Sequence, residues 1–282
     1  MTWSQLPINE IYMLEYEIEN GEVSIINPTL LTGFNKSGYN NQPHFFGPDN
    51  LYITSNHYER THTDFIRLDL ENEIYYRITA TDSISEFSPT SNAPDGFFSA
   101  VRIEADQSTQ SLWLYPDSHE GSGHRVLYNL NNVGYHCWLS SEEVALFLVT
   151  DPITLHIGNI NTGQVTKLME NIGRCLKVNE DGELLFVHKL RPDLWYIKSY
   201  DLENKFARII CQTRPGSEDF DILEDGSLIM AEGSRLFRLH PDESKNWESI
   251  ADLSELGISE ISRIETSRDK IAIVNTKSAS NE

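Results

Sequence analysis

One pattern recurs six times along this chain: a polar stretch leads into an acidic turn, and an alternating apolar segment follows. The acidic residues of these turns recur every 39 to 47 residues, and they are Asp49, Asp95, Glu142, Asp181, Asp225 and Asp269. A repeat of about 40–45 residues that contains four short strands is typical of a β-propeller. The sequence therefore predicts an all-β fold, a six-bladed β-propeller with four antiparallel strands per blade.

The segments around each acidic turn support this prediction. Asp-Gly pairs at 181–182 and 225–226 suit tight turns, because Asp hydrogen-bonds to its own backbone and Gly accepts a positive φ. A second hairpin follows in the first five units, and its first strand is expected at 65–68, 112–115, 155–158, 195–198 and 236–239. Period-two alternation in these segments indicates strands with one buried face.

The two ends of the chain complete the sixth unit. Only one strand pattern, 271–274, follows the last acidic turn, whereas a hairpin pattern at 11–26 stands at the start without an acidic turn of its own. We expect residues 1–282 to form a single propeller domain, with blade six built from about 259–277 together with 8–30. Sharing the last blade between both ends leaves no unpaired seam.

The charge balance restricts the possible partners. The 282 residues include 22 basic and 43 acidic ones, and the formal net charge is −21. Nucleic acids and anionic membranes are bound through cationic patches, so we expect neither as a partner. No apolar run approaches the ~20 residues of a membrane span, which predicts no membrane insertion. The first residues lack the features of a signal peptide. We therefore expect a cytoplasmic protein, or a mature form whose export signal has been removed.

A proline followed by a Pro-Asp turn, at 43–50 and again at 89–96, resembles the TolB-type, WD40-like (PD40) propeller repeat. The resemblance is best over 42–55, 61–65 and 86–101, and it implies a stand-alone propeller of the TolB-like class. By this resemblance the protein would be periplasmic if a signal peptide has been removed. Propellers of this kind serve as scaffolds, ligand-binding cups or substrate gates. The repeats start without a counterpart of the α/β domain of TolB, and no Gly-x-Ser-x-Gly motif of propeller-bearing peptidases occurs. We therefore expect neither a translocation role nor peptidase activity.

The first strand of each propeller blade lines a central tunnel, and the residues just before the acidic turns supply that strand. Aligning the six copies predicts a set of tunnel residues that bind a ligand: Asn41, Gln42, Glu86, Ser88, His136, Arg174, Glu218, Asp219 and Arg263. Arginine presents a fixed fork of donors to carboxylates and phosphates. One hypothesis is a small polar or anionic ligand held by Arg174, Arg263 and His136. The alternative is that the arginines pair with Asp219 and Glu260 and only fill the tunnel.

Two kinds of metal site are further hypotheses. Ca²⁺ prefers six to eight oxygen ligands, which Asn41, Gln42, Glu86, Asp219 and Asp221 could supply, but the arginines at the same level oppose a cation. Zinc could use His136, Cys137 and Cys175, although the Cys-x₂-Cys spacing of common zinc sites is missing. We therefore predict no cofactor, no metal and no catalytic residue, with Ca²⁺ as the open alternative.

The favoured hypothesis is a non-enzymatic propeller that binds a small polar ligand or a protein partner. The sequence shows no catalytic signature, which favours binding over catalysis. The alternative that stays open is a metal-dependent hydrolase or lactonase that acts at the mouth of the tunnel.

Overall fold

A computed structural model describes residues 6–58, 61–241 and 246–277 of the chain. Within these ranges the secondary structure consists of β-strands and two single 3₁₀ turns, at Gly33–Asn35 and Ser254–Leu256. The strands form six antiparallel sheets of four strands each. The prediction of a six-bladed β-propeller with four antiparallel strands per blade is confirmed. The chain divides into two compact units, residues 1–80 with 219–282 and residues 81–218.

The first unit contains blades six, one and five. Blade six joins strands from both ends of the chain: β1 (Asn9–Glu19), β2 (Glu22–Leu30), β23 (Ile261–Ser267) and β24 (Lys270–Thr276). Blade one consists of β3 (Asn40–Phe45), β4 (Asn50–Ser55), β5 (Asp64–Asp69) and β6 (Ile74–Arg77). Blade five consists of β19 (Phe220–Ile222), β20 (Leu228–Glu232), β21 (Arg235–Leu239) and β22 (Glu248–Asp252).

The second unit contains blades two, three and four. Blade two consists of β7 (Ser85–Thr90), β8 (Phe97–Ile103), β9 (Gln110–Pro116) and β10 (His124–Arg125). Blade three consists of β11 (Val133–Trp138), β12 (Glu143–Leu148), β13 (Thr154–Asn159) and β14 (Val165–Glu170). Blade four consists of β15 (Ile172–Val178), β16 (Leu184–Arg191), β17 (Leu194–Asp201) and β18 (Phe206–Gln212).

Blade six has the strand order β2-β1-β24-β23, so the expected closure of the last blade by strands from both chain ends is confirmed. Tyr12 lies opposite Ile273 in the antiparallel pair of β1 and β24. At the end of this pair, the Asn9 side-chain amide donates to Thr276 Oγ1 at 2.8 Å. We call the strand next to the expected tunnel the first strand of its blade (β3, β7, β11, β15, β19, β23), and the strand at the opposite edge the fourth.

The core of each unit lies between the faces of its neighbouring blades. In the first unit, one cluster joins blades five and six through Leu14, Ile229 and Ile271, and another joins blades six and one. In the second unit, Leu155 and Phe186 belong to the cluster between blades three and four. Each fully buried side chain of this size contributes about 1.5–3 kcal/mol relative to an exposed one. The second strands β4, β12, β16, β20 and β24 contain apolar runs because both of their faces are covered.

Candidate functional site

All nine predicted site residues lie on the first strand of a blade or within two residues of it. They are Asn41 and Gln42 on β3, Glu86 and Ser88 on β7, His136 on β11, Arg174 on β15, Glu218 and Asp219 just before β19, and Arg263 on β23. The first unit holds Asn41, Gln42, Asp219 and Arg263, and the second unit holds the other five.

The first strands are irregular where the polar residues lie. The pairing of β3 with β4 shifts between positions 41 and 44, and the pairing of β7 with β8 shifts between positions 87 and 90. Gln42 and Ser88, which each precede a proline, have positive φ angles of 53° and 54°. Similar shifts occur in β11, β15 and β23. A β-bulge adds a residue and redirects the side chains around it. The bulges therefore take these polar side chains out of the regular in–out alternation of a strand.

In the first unit, Arg263 connects the first strand of blade six with blades one and five. Its Nε donates to Asn41 Oδ1 at 3.1 Å, and its Nη1 lies 3.5 Å from Asp219 Oδ2. Both side chains of the ion pair are largely buried, at 14% and 10% exposure. Asn41 Oδ1 also accepts the backbone N–H of Gln42 at 2.7 Å. The pairing of Arg263 with Asp219, which the sequence offered as the alternative to ligand binding, is present.

In the second unit, Arg174 and Lys189 converge on one carboxylate. Arg174 Nη1 lies 3.2 Å from Glu218 Oε1, and Lys189 Nζ lies 2.5 Å from Glu218 Oε2. The three side chains keep 20–27% of their surface exposed. Lys189 also lies over the ring of Trp195, 4.4 Å from its centre. This arrangement is a cationic cradle around a carboxylate, and it is more accessible than the pair of Arg263 with Asp219.

Lys189 was missed by the sequence analysis because it lies on β16, the second strand of blade four, and not on a first strand. A signal was present, since Lys189 follows a run of apolar residues at 184–187 that predicts a buried strand. Gly173 on β15 has no side chain, which leaves room for Glu218 to pack against this strand. A Cβ at Gly173 would lie 2.9 Å from Val187 Cβ and 3.2 Å from Glu218 Cβ and Oε2.

His136 is held by side chains of blades two and three. Its Nε2 lies 2.7 Å from Ser99 Oγ, and the same oxygen accepts the indole N–H of Trp138 at 2.7 Å. His136 and Ser99 are buried. The contact ties β11 to β8, and Ser99 is a second polar residue that the alignment of first strands could not identify.

Glu86 is fully buried on β7. Its Oε1 accepts the hydroxyl proton of Tyr115 at 3.0 Å. Burial, and then the charge and hydrogen bond of Glu86, raise the pKa of Tyr115 well above 10. Tyr115 therefore stays protonated and remains a donor to Glu86 at any ordinary pH.

Within residues 6–58, 61–241 and 246–277, no three His, Cys, Asp or Glu side chains form a group that could hold a metal ion. His136, Cys137 and Cys175 therefore do not form such a group, and neither cysteine forms a disulfide. In the same ranges, no helix has the length and hydropathy that crossing a bilayer requires.

The six four-stranded sheets, five of which have an irregular first strand, define the chain as a six-bladed β-propeller. Among solved structures it is similar to a protein from Agrobacterium tumefaciens assigned as TolB, with a TM-score of 0.69, 13% identity, and coverage of 97% of this chain and 99% of that one. It is also similar to TolB from Acinetobacter baumannii, with a TM-score of 0.59 and 13% identity over 87% of this chain and 66% of that one. The resemblance to TolB-like propellers is confirmed at the level of the fold.

An enzyme shares this fold as well. An oligogalacturonate lyase in complex with manganese matches with a TM-score of 0.56 and 12% identity over 94% of this chain and 85% of that one. Identities this low show a common fold, and a common fold is compatible with many functions. In sequence, no protein-family model and no curated protein matches the chain.

Proposed function

We propose that this propeller is a non-enzymatic binding protein for a small anionic ligand that bears a carboxylate or a phosphate, and that Arg174 and Lys189 hold the anion. The observation that carries the proposal is the convergence of these two cations, from two strands, on the carboxylate of Glu218. A place that already holds a carboxylate of the protein has the charge and geometry that an anionic ligand needs.

Arginine and lysine supply different parts of such a site. A guanidinium has five donors in a fixed fork, so it can contact a protein carboxylate and a ligand anion together. The ammonium group of lysine is a mobile point charge that can follow the ligand. Both side chains are partly exposed, so a ligand can reach them from solvent. The bulge in β15 places Arg174 outside the regular strand alternation.

The polar residues of the first unit have a different role in this proposal. Arg263 and Asp219 are largely buried and bind each other, and we assign them to the joining of blades. Their pairing also speaks against the alternative of a metal-dependent hydrolase or lactonase. A cation at Asp219 and Asp221 would face Arg263, and both carboxylates already accept backbone N–H groups of β23.

Thermal unfolding of the full chain with a panel of small anions tests the proposal. The panel is phosphate, citrate, succinate and a sugar acid, each with matched ionic strength. A ligand at a hundred times its Kd stabilises the folded state by about 2.7 kcal/mol. The double variant Arg174→Met with Lys189→Met is expected to lose this stabilisation. Arg191→Met is the matched control, because Arg191 belongs to the same blade and is 67% exposed.

Three outcomes would count against the proposal. The first is that no anion of the panel raises the melting temperature of the wild type. The second is that the double variant is still stabilised, and the third is that the control variant is not. Parallel samples with Ca²⁺, Mn²⁺ or EDTA address the enzymatic alternative. A melting temperature that depends on a divalent ion, together with hydrolysis of a lactone substrate, would favour the enzyme.

A further inference from the structure

The fourth strand of blade one, β6, presents an unusual surface. Three successive large side chains, Ile74, Tyr75 and Tyr76, are each more than 40% exposed. The strand stands at the end of the sheet order β3-β4-β5-β6. Exposed edge strands with apolar side chains are templates for pairing with another strand.

The other described fourth strands carry features that discourage such pairing. Charged residues, proline or very short length are the usual protection of an edge. These features are Glu22 and Pro28 in β2, the two-residue length of β10, Lys167 and Glu170 in β14, Arg208 in β18, and Glu248 and Asp252 in β22. In β6 the only charged residue is Arg77, at the end of the strand.

The backbone of β6 offers hydrogen-bonding groups on its outer side. Ile78 N–H donates to the carbonyl of Phe65 on β5 at 2.8 Å. Because the direction of these groups alternates along an antiparallel strand, Tyr76 also bonds toward β5. The N–H and C=O groups of Tyr75 and Arg77 therefore point away from the sheet.

Neighbouring rings hold the side chains of this edge in place. Tyr75 stacks on Phe34, with ring centres 4.2 Å apart, and Arg77 lies over the ring of Tyr58 at 4.6 Å. On the other face, Arg67 lies over Tyr76 at 4.6 Å. Side chains that are already ordered lose little entropy on binding, which favours association.

We propose that β6 pairs with β6 of a second copy of this chain, antiparallel, with Tyr75 opposite Tyr75 of that copy. This register uses the outward groups of Tyr75 on both copies. It sets Arg77 of each copy opposite position 73 of the other, which is Glu73 in the acidic turn at 71–73. It also places Ile74 opposite Tyr76 on the other face.

The self-complementarity of the strand selects a second copy as the occupant. Arg77 pairs with Asp64 of its own chain at 2.7 Å and keeps 28% of its side-chain surface exposed. An antiparallel copy brings the carboxylates of Glu71 and Glu73 close to this exposed part of Arg77 at both ends of the contact. A two-fold axis at Tyr75 makes the contact isologous, and such a contact closes at the dimer. The net charge of −21 opposes association at long range, but screening limits that repulsion to about 8 Å at physiological salt.

Sedimentation equilibrium of the full chain over a range of concentrations, at about 0.15 M salt, tests the proposal. We expect a reversible monomer–dimer equilibrium. Glu73→Lys places like charges beside Arg77 of the second copy, and Tyr75→Lys removes the central aromatic contact. Each variant is expected to raise the dimer Kd by roughly tenfold or more. Phe206→Lys is the matched control, because Phe206 is an exposed aromatic residue on β18, another fourth strand, and this variant should dimerise as the wild type does.

A chain that stays monomeric up to several hundred micromolar overturns the proposal. A dimer that persists in both β6 variants, or that is lost in the Phe206→Lys control, overturns it as well, because its interface then lies elsewhere. Binding of an extended peptide to β6 in a monomeric chain would show that a different partner occupies this edge. Circular dichroism of each variant confirms that a lost dimer does not reflect unfolding.

Discussion

Asp219 accepts the backbone N–H of Ile264 through its Oδ1 atom at 2.9 Å. A side chain at the start of blade five thus bonds to the first strand of blade six. Asp221 repeats the contact two residues later, where its Oδ2 accepts the N–H of Thr266 at 2.7 Å. Asp219, just before the short strand β19, and Asp221 on it therefore accept two backbone N–H groups of β23. A buried N–H group without an acceptor would cost free energy.

Arg263 completes this junction, and its removal should destabilise the fold. Arg263→Met removes the ion pair with Asp219 and one donor to Asn41, so we expect a loss of about 2–3 kcal/mol in the free energy of unfolding. Chemical denaturation measures the loss. Arg191→Met, at an exposed position, should change stability by less than about 0.5 kcal/mol. Equal stabilities of the two variants would show that Arg263 does not join the blades.

The strand β1 should be essential for blade six. Leu14 is fully buried in the cluster between blades five and six. Leu14→Ala is expected to cost about 2–5 kcal/mol, because the lost side chain leaves a cavity. Leu190→Ala removes the same group from a position that is 48% exposed, and should change the stability little.

A chain without residues 1–28 should melt at a lower temperature than the full chain. If it melts as the full chain does, the joint blade is not needed.

Gly173 should be required for the position of Glu218. In Gly173→Ala the new methyl group meets Val187 and Glu218, so Glu218 must shift by a few tenths of an ångström from the position in which it contacts Arg174 and Lys189. We expect lower stability, by roughly 1–3 kcal/mol, and altered anion binding in the thermal assay. Gly33→Ala is the control, since the nearest atom to its Cβ is Lys36 Cε at 4.0 Å. An unchanged Gly173→Ala variant would mean that the cradle is not tightly packed.

His188 should make the fold sensitive to mild acid. Burial, and then the charge of Lys198, lower its pKa below the ordinary value of 6.5. Below about pH 6.5 the unfolded chain takes up the proton first, so stability falls with pH until the folded pKa is passed. His188→Gln should reduce the fall in melting temperature between about pH 7.5 and 5. The exposed His124→Gln is the control. The idea fails if both variants lose as much stability in acid as the wild type.

The fold was predictable because it repeats. An acidic residue, such as Asp181, lies in the turn between the first two strands of each blade. One such turn predicts little by itself, but six at a regular spacing predict a repeated blade. The hairpin at 11–26 without an acidic turn predicted blade six correctly for the same reason. The placement of the polar candidates on first strands followed from the same alignment.

The partners of those candidates could not be predicted in the same way. An alignment of repeats gives the level of a residue along its blade, but it does not give contacts made by the second strand, as for Lys189. Bulges at Gln42 and Ser88 shift side chains by one position, which a fixed offset cannot describe. The convergence of Arg174 and Lys189 on Glu218 depends on the missing side chain of Gly173, a feature of three-dimensional packing.

The sheet that unites β1 with β24 has a consequence for biosynthesis. The hydrogen bond between Asn9 and Thr276 spans 267 positions of sequence, so this sheet can form only after the ribosome has made the chain through Thr276. Until then the β1–β2 hairpin, which contains apolar residues, cannot pair with β24. Contacts of such separation are slow to form, and apolar surface that stays exposed in the meantime favours aggregation.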